Sequence, residues 1–248
     1  MLVRVEGIVI RSIDYGEGNK IITLFSKEAG KVSIMARGAK KIKSRFAAIA
    51  QLFTYGDFTY FRSNSMGTLS SGEIINAYHR LKEDIHKTAY TSYLMELTER
   101  IVDDNEPNVM LFEQLKASLD AMDEEKDPQI IAHLYEMKIL SIAGYQPQLD
   151  ACVSCGAQEG PMSLHVGLGG IVCNRCRAQD GQSIALAEST LKLLRLFVHM
   201  DIRRLGKTEV KPATKNQLKQ CIRQLIDAHI DVKWKSRNFL DQMEKYDL

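Results

Sequence analysis

Residues 152–176 read CVSCGAQEGPMSLHVGLGGIVCNRC, two Cys-x-x-Cys pairs separated by the 17 residues from Gly156 to Val172. Thiols so placed can hold a metal, form disulfides or do redox chemistry. The redox reading wants one pair beside a βαβ unit, and five cysteines are an odd number for a disulfide framework. The spacing falls within the four-thiolate zinc pattern, which makes Cys152, Cys155, Cys173 and Cys176 the expected ligands of one zinc per chain. Disulfide and redox pairing remain the alternatives. Four thiolates fill a tetrahedron and leave no position for water, so the expected role is structural. His165, in the run MSLHV, could in principle replace one ligand, but with four cysteines in hand it reads as a packing or surface histidine.

The rest of the chain shows where such a ribbon sits. At 248 residues it can bury one large core or two smaller ones, and its composition is that of an ordinary soluble protein. No apolar run approaches the roughly 18 residues that a membrane helix needs. The start, MLVRVEGIVIRSIDYGEGNK, alternates like a strand and lacks the apolar core of a signal peptide, so a cytoplasmic location is expected. Charge is uneven. Residues 1–76 carry a net +5, residues 77–149 a net −7 and residues 150–248 a net +4. A basic front and a basic end around an acidic middle suggest contact with nucleic acid, against the plainer reading of an unevenly charged solvated surface.

The front reads as β. Val3, Val5, Ile8 and Ile10 lie in a β-branched run, Gly16–Gly18 supplies a turn, and Lys20–Phe25, Val32–Ala36, Leu52–Phe61 and Thr68–Ala77 follow as strands. Five short strands with one longer excursion suit a small barrel of the OB type. That excursion, ARGAKKIKSRFAAIAQL, places Arg37, Lys40, Lys41, Lys43 and Arg45 within nine residues with no acid among them. Such crowding is relieved by an anion, and phosphate is the obvious one, so these five are the expected DNA contacts. Phe46 either stacks on a base or plugs the barrel, and aromatics mostly pack.

From about Leu81 the period becomes helical. Tyr90, Leu94, Leu97 and Ile101 mark one apolar face, Asp103–Pro107 ends that helix, and Val109–Met122 and Ile130–Ala143 read as two more. Gly144 is placed as a C-terminal cap with Pro147 beyond it. After the cysteines, Leu191, Leu194, Phe197 and Val198 mark a helix, and Leu218, Ile222, Leu225 and His229 another, with Cys221 on its apolar face as a small buried hydrophobe. Arg203, Arg204, Lys207, Lys211 and Lys215 form a second basic stretch, candidates for further DNA or partner contacts. Trp234, between Lys233 and Lys235, is either a packed C-terminal tryptophan or part of a nucleic-acid surface. The chain has no P-loop, no G-x-G-x-x-G, no G-x-S-x-G and no HExxH, so it offers a binder with no visible catalytic residues.

The opening RVEGIVIRSIDYGEGNKIITLFSKEAGK, the ARGAKK run and GYQPQLDACVSCG together resemble the RecO family of bacterial DNA repair proteins along essentially the whole chain. The resemblance implies an α+β architecture: an N-terminal five-stranded OB-fold β-barrel over residues 1–80, then an α-helical domain over 81–248 with a four-cysteine zinc ribbon inserted at 149–180. It implies a non-enzymatic, ATP-independent recombination mediator of the RecF pathway, associated with the nucleoid. Such a protein binds single- and double-stranded DNA, anneals complementary strands, contacts the single-strand-binding protein SSB, and with RecR helps load RecA onto SSB-coated strands. Some members lack the four cysteines, which sets the metal apart from the family's core activity. The resemblance does not place the SSB pocket; a cation beside an apolar groove is what an acidic tail would want. The competing readings are a protein-only adapter between SSB and recombination proteins, and a metal-dependent nuclease, for which no open metal position or carboxylate pair is apparent.

Overall fold

The computed structural model describes residues 1–63, 66–177, 183–207 and 209–246. The first strands are β1 (Leu2–Tyr15), β2 (Asn19–Ser26), β3 (Gly30–Ala36), β4 (Tyr55–Phe61) and β5 (Gly67–Asn76), and they close a barrel in the order β1-β2-β3-β5-β4. Closure depends on the length of β1, whose first half pairs with β4 from Leu2 to Ile8 while its second half pairs with β2 from Gly7 to Tyr15. A register shift between Val9 and Arg11 bends the strand from one partner to the other, as bulges do at barrel corners. The β3–β5 pairing is parallel and the others are antiparallel.

The barrel interior is filled by inward positions of every strand, among them Val5, Val9, Ile22, Leu24, Ile34, Phe58, Tyr60 and Leu69. Phe46, Ile49 and Ala50, from the connection between β3 and β4, complete this cluster. The connection thus plugs the barrel, and Phe46 is a core residue. Gly72 makes room for the plug, since a Cβ there would stand 2.4 Å from Ile49 Cδ1. β4 starts three residues later than the apolar run LFTYGDFTYF suggests. Phe53 adopts φ 70°, a left-handed turn position, and its N–H donates to the Val9 carbonyl at 2.9 Å. Its ring is buried all the same, so hydrophobicity concealed a turn.

Compactness divides the chain into residues 1–124 with 234–248, and residues 125–233. The first unit adds to the barrel helices α1 (His79–Glu83), α2 (Ile85–Ile101) and α3 (Val109–Asp123). Asp84 caps α2 by accepting from Lys87 N–H at 3.0 Å, and Asn108 caps α3 by accepting from Leu111 N–H at 2.9 Å. Barrel and helices are joined by an edge-on contact of Phe25 with Phe112, ring centroids 5.9 Å apart, and by ion pairs Arg11–Glu99 and Lys27–Glu113.

The second unit is built on α4 (Pro128–Ile142), buried almost all round from Ile130 to Leu140. Asp127 caps it by accepting from the N–H groups of Gln129 and Ile130, with Pro128 in its first turn. It ends on Gly144 at φ 82°, where Tyr145 N–H donates to Leu140 O and Gly144 N–H to Ser141 O, a Schellman arrangement. A small sheet follows, β6 (Met162–His165), β7 (Gly170–Cys173) and β8 (Ile184–Ala185) in the order β7-β6-β8, with the single-turn helix α5 (Asn174–Arg177) after β7. Helices α6 (Glu188–His199) and α7 (Pro212–His229) pack with α4. The last helix, α8 (Lys235–Tyr246), belongs to the first unit and packs on α2.

Candidate nucleic-acid interface and metal centre

The basic loop after β3 runs through successive tight turns. Lys41 N–H donates to Gly38 O at 3.0 Å and Ser44 N–H to Lys41 O at 2.9 Å, with Gly38 at φ 71°. The β1–β2 hairpin anchors it: Lys40 N–H donates to Gly18 O at 3.1 Å, and Gly38 N–H donates to Asn19 Oδ1 at 2.9 Å. Lys40 Nζ reaches Asp14 Oδ2 at 2.8 Å. The plug holds its other end, where Arg45 lies over the Phe46 ring at 4.6 Å and donates to Ser70 O at 3.1 Å.

All five cations of this loop are exposed. Arg37, Lys41 and Lys43 make no ion pair among the described residues, and Arg37, Lys41, Lys43 and Arg45 border an open cleft of about 550 Å³ floored by Phe46, Thr68 and Leu69. Lys40 differs, because Asp14 already neutralises it. The Asp14 carboxyl is held below its usual range by the Lys40 hydrogen bond and by the charges of Lys40 and Lys20. An unneutralised set of cations over a shallow cleft, on a loop tied to the barrel, is suited to a polyanion.

The second basic stretch lies in the other compact unit and is mixed in sign. Arg203 forks onto the Asp201 carboxylate, and Lys215 pairs with Asp127. Arg204, Lys207 and Lys211 are exposed. The cleft of about 710 Å³ beside Lys207 and Lys215 is lined by Glu125, Asp127 and Glu209 as well as Lys126. Trp234 is off the surface, 2% exposed and edge-on to Tyr93 with ring centroids 6.4 Å apart. Cys221 is buried, and burial pushes its thiol up to about 12. His229 stacks on Tyr145 at 4.4 Å.

The four cysteines of the two pairs come together. Their Sγ atoms all lie within 4.8 Å of one another, and Cys155 and Cys173 are 3.6 Å apart. Tetrahedral coordination with metal–sulfur distances of about 2.3 Å puts sulfurs about 3.8 Å apart, so the four thiols stand close to the spacing that a divalent metal ion requires. All five cysteines of the chain are free thiols. The first pair sits on a turn where Gly156, at φ 75°, donates its N–H to Cys152 O at 2.8 Å. The second pair ends β7 and continues into α5.

The two halves are registered by backbone. Val153 N–H donates to Ile171 O and Ile171 N–H to Gln148 O, both at 2.9 Å. Gly170 permits this approach, since a Cβ there would stand 2.4 Å from Gln148 O. Burial works against a Cys152 thiolate, but N–H groups of Cys173, Cys155 and Ser154 outweigh it and bring the thiol down to about 6. Arg175 lies against Cys155, with Cys176 and Cys173 also near, and these sulfurs raise its pKa. His165 lies outside the four-sulfur cluster, and its Nδ1 accepts from Leu168 N–H at 3.2 Å. Sequence reasoning passed over Asp14, Asn19 and Arg175. Only Arg175 left a local signal, a cation between two ligands.

A five-stranded OB-type barrel carrying a basic loop, followed by helices and a metal-competent four-cysteine ribbon, places the chain in the class of OB-fold proteins with a helical, ribbon-bearing second part. Family models narrow the class: one described as Recombination protein O N terminal matches residues 1–78, and one described as Recombination protein O C terminal matches residues 82–238. The chain is 44% identical to the DNA repair protein RecO of Bacillus cereus strain AH187 over the full length of both. It is 42% identical to that of Halalkalibacterium halodurans over 98% of this chain and 96% of the other. The chain belongs to the RecO family of DNA repair proteins. Among the described residues, no helix is long and apolar enough to cross a membrane.

Proposed function

We propose that this protein is an ATP-independent mediator of recombinational repair in the RecF pathway, binding single- and double-stranded DNA and annealing complementary strands. The observation that carries the reading is the loop Arg37–Arg45, with its exposed cations anchored on the barrel. Cations that neutralise phosphates release counterions and weaken the repulsion between two strands, after which base pairing completes the reaction. No bond is broken and no nucleotide is needed. In the same reading SSB, RecR and, indirectly, RecA are partners in the cytoplasm around the nucleoid, and residues 1–80 and 81–248 act as the DNA-binding and partner-binding parts.

An acidic SSB tail wants a cation beside apolar walls. The cleft lined by Met162, Leu186, Leu191, Lys192 and Arg195 is also mixed in charge, with Glu159 and Glu188 beside its two cations. It nevertheless offers more apolar wall than the surface at Lys207 and Lys215, where Val210 is the one apolar residue among those described. Zinc is the metal best suited to Cys152, Cys155, Cys173 and Cys176, as one structural ion per chain. It would supply a cross-link between the turn after Leu149 and the end of β7.

The deciding experiment anneals complementary oligonucleotides, bare and SSB-coated, at two salt concentrations without nucleotide. Annealing that persists on coated strands and weakens with salt is expected. Lys41→Glu with Lys43→Glu should abolish most of it and lower the log–log salt slope by about 0.7 to 0.9 for each phosphate that is no longer neutralised. Absence of DNA binding at low salt would overturn the reading in favour of a protein-only adapter.

A further inference from the structure

At the apex of the basic loop Ile42 is 102% exposed, more than any other large hydrophobic side chain among the described residues. Its neighbours are Lys41 and Lys43. Such a side chain contributes nothing to the core, although the same connection buries Phe46, Ile49 and Ala50 in the barrel. Nearby in the fold, β1 ends on Tyr15, which is 53% exposed, with Ile13 at 39% two positions earlier on the strand.

The two exposed elements are tied together. Tyr15 pairs with Asn19 across the hairpin, Asn19 accepts from Gly38 N–H at 2.9 Å, and Gly18 accepts from Lys40 N–H at 3.1 Å. Lys41 lies over the hairpin turn, its Cε 3.8 Å from where a Cβ on Gly18 would be. An exposed aromatic ring and an exposed branched aliphatic chain therefore flank one group of cations on a braced surface.

Phosphate binding requires the lysines and arginines alone. The apolar groups fit the other part of a nucleotide, the face of a base, and that face is free only in an unpaired strand. In duplex DNA the bases are stacked on one another, and an apolar wedge must first force a step open. We propose that Tyr15 and Ile42 contact unpaired bases, Tyr15 as a stacking platform and Ile42 as an apolar wedge, giving the basic loop a preference for single strands over duplex. The inference rests on the reading of this loop as a DNA interface. In the annealing reaction it assigns the loop the task of holding one strand by a few bases while the neighbouring bases stay free to pair.

The test uses the full chain with Tyr15→Ala, Ile42→Ser and the double variant. Fluorescence anisotropy is measured on a labelled thymidine oligonucleotide, on an abasic strand of the same length and on a duplex. Both side chains are exposed, so circular dichroism should be unchanged. The double variant is expected to bind the thymidine strand about tenfold more weakly, as loss of base stacking does. On the abasic strand and the duplex it should change less than about twofold, and the salt slope should stay the same. Equal loss on all three ligands, or none on the thymidine strand while Lys41→Glu with Lys43→Glu abolishes binding, would overturn the base contact and leave the DNA interface standing. Failure of the unaltered protein to bind any of the three would remove both. A parallel flotation with phosphatidylglycerol vesicles covers the other use of an apolar tip among cations. Vesicle binding that disappears in Ile42→Ser with strand binding intact would also overturn the proposal.

Discussion

Lys40 Nζ lies 2.8 Å from Asp14 Oδ2, so one cation of the basic loop is occupied in holding the loop against the β1–β2 hairpin. Asp14 also reaches Lys20 at 3.6 Å. Replacing Asp14 with Asn removes an acid from a basic face and frees Lys40 for phosphate. DNA affinity at low salt should rise several-fold, and the log–log salt slope should steepen by about 0.7 to 0.9, the value of one further neutralised phosphate. Anisotropy titrations at three salt concentrations check this.

The same pair has a defined pH response. Because the folded value of Asp14 is depressed by the Lys40 hydrogen bond, its tie is complete above the ordinary carboxylate pKa of about 3.9 and is lost as pH falls through the lower folded value. A carboxyl carbon titration by NMR should therefore give a midpoint below that of a free aspartate. In Lys40→Met the midpoint should return towards the ordinary value.

If the four cysteines hold the proposed zinc, its removal should cost the ribbon its fold, since binding free energy at such sites is folding free energy. Native mass spectrometry is expected to show one zinc, absent when Cys152, Cys155, Cys173 and Cys176 are all serine. Gly170→Ala leaves every ligand in place but drives a Cβ into Gln148 O and Val153. It should lower stability by about 1–3 kcal/mol and speed metal loss to a chelator.

Trp234 is the single tryptophan, and its emission reports on the core of the first unit. Emission should be shifted to the blue of free tryptophan and unchanged by saturating DNA. Trp234→Ala should destabilise by about 3–5 kcal/mol. Trp234→Phe should cost less, since it keeps an aromatic ring against Tyr93 and removes an indole N–H that has no hydrogen-bond partner.

Within α4, His133 Nδ1 and Glu136 Oε2 are 2.7 Å apart and both residues are buried, while His133 Nε2 has no partner. Glu136→Leu would leave the imidazole Nδ1 without its hydrogen-bond partner, a loss of about 1–3 kcal/mol for a buried polar group. His133→Leu combined with Glu136→Leu should cost clearly less than the two single changes added together. Urea denaturation of the four proteins of the cycle measures this.

Much of this was legible from local pattern. The β-branched runs of the first 36 residues marked three strands, and the cysteine spacing marked the ribbon. What stayed hidden depends on partners distant in sequence. Lys40 and Lys215 look like free cations until Asp14 and Asp127 are found beside them. Trp234, among lysines, reads equally as a packed tryptophan or as part of a nucleic-acid surface, because Tyr93, which covers it, is 141 positions away. Phe53 escaped for a different reason: its turn uses a positive φ at a bulky residue, which no composition rule anticipates.

The first compact unit is discontinuous, assembled from residues 1–124 and 234–248 with the whole ribbon-bearing unit encoded between them. On the ribosome, the barrel and α1–α3 emerge long before the segment that finishes their core. Glu96 waits for the N–H groups of Lys235 and Ser236, and Tyr93 for the indole that covers it. Until then the nascent chain carries an open apolar face on α2, so synthesis itself sets an interval in which this unit is exposed to chaperones and proteases. Residues 125–233, encoded without interruption, can complete their own packing first.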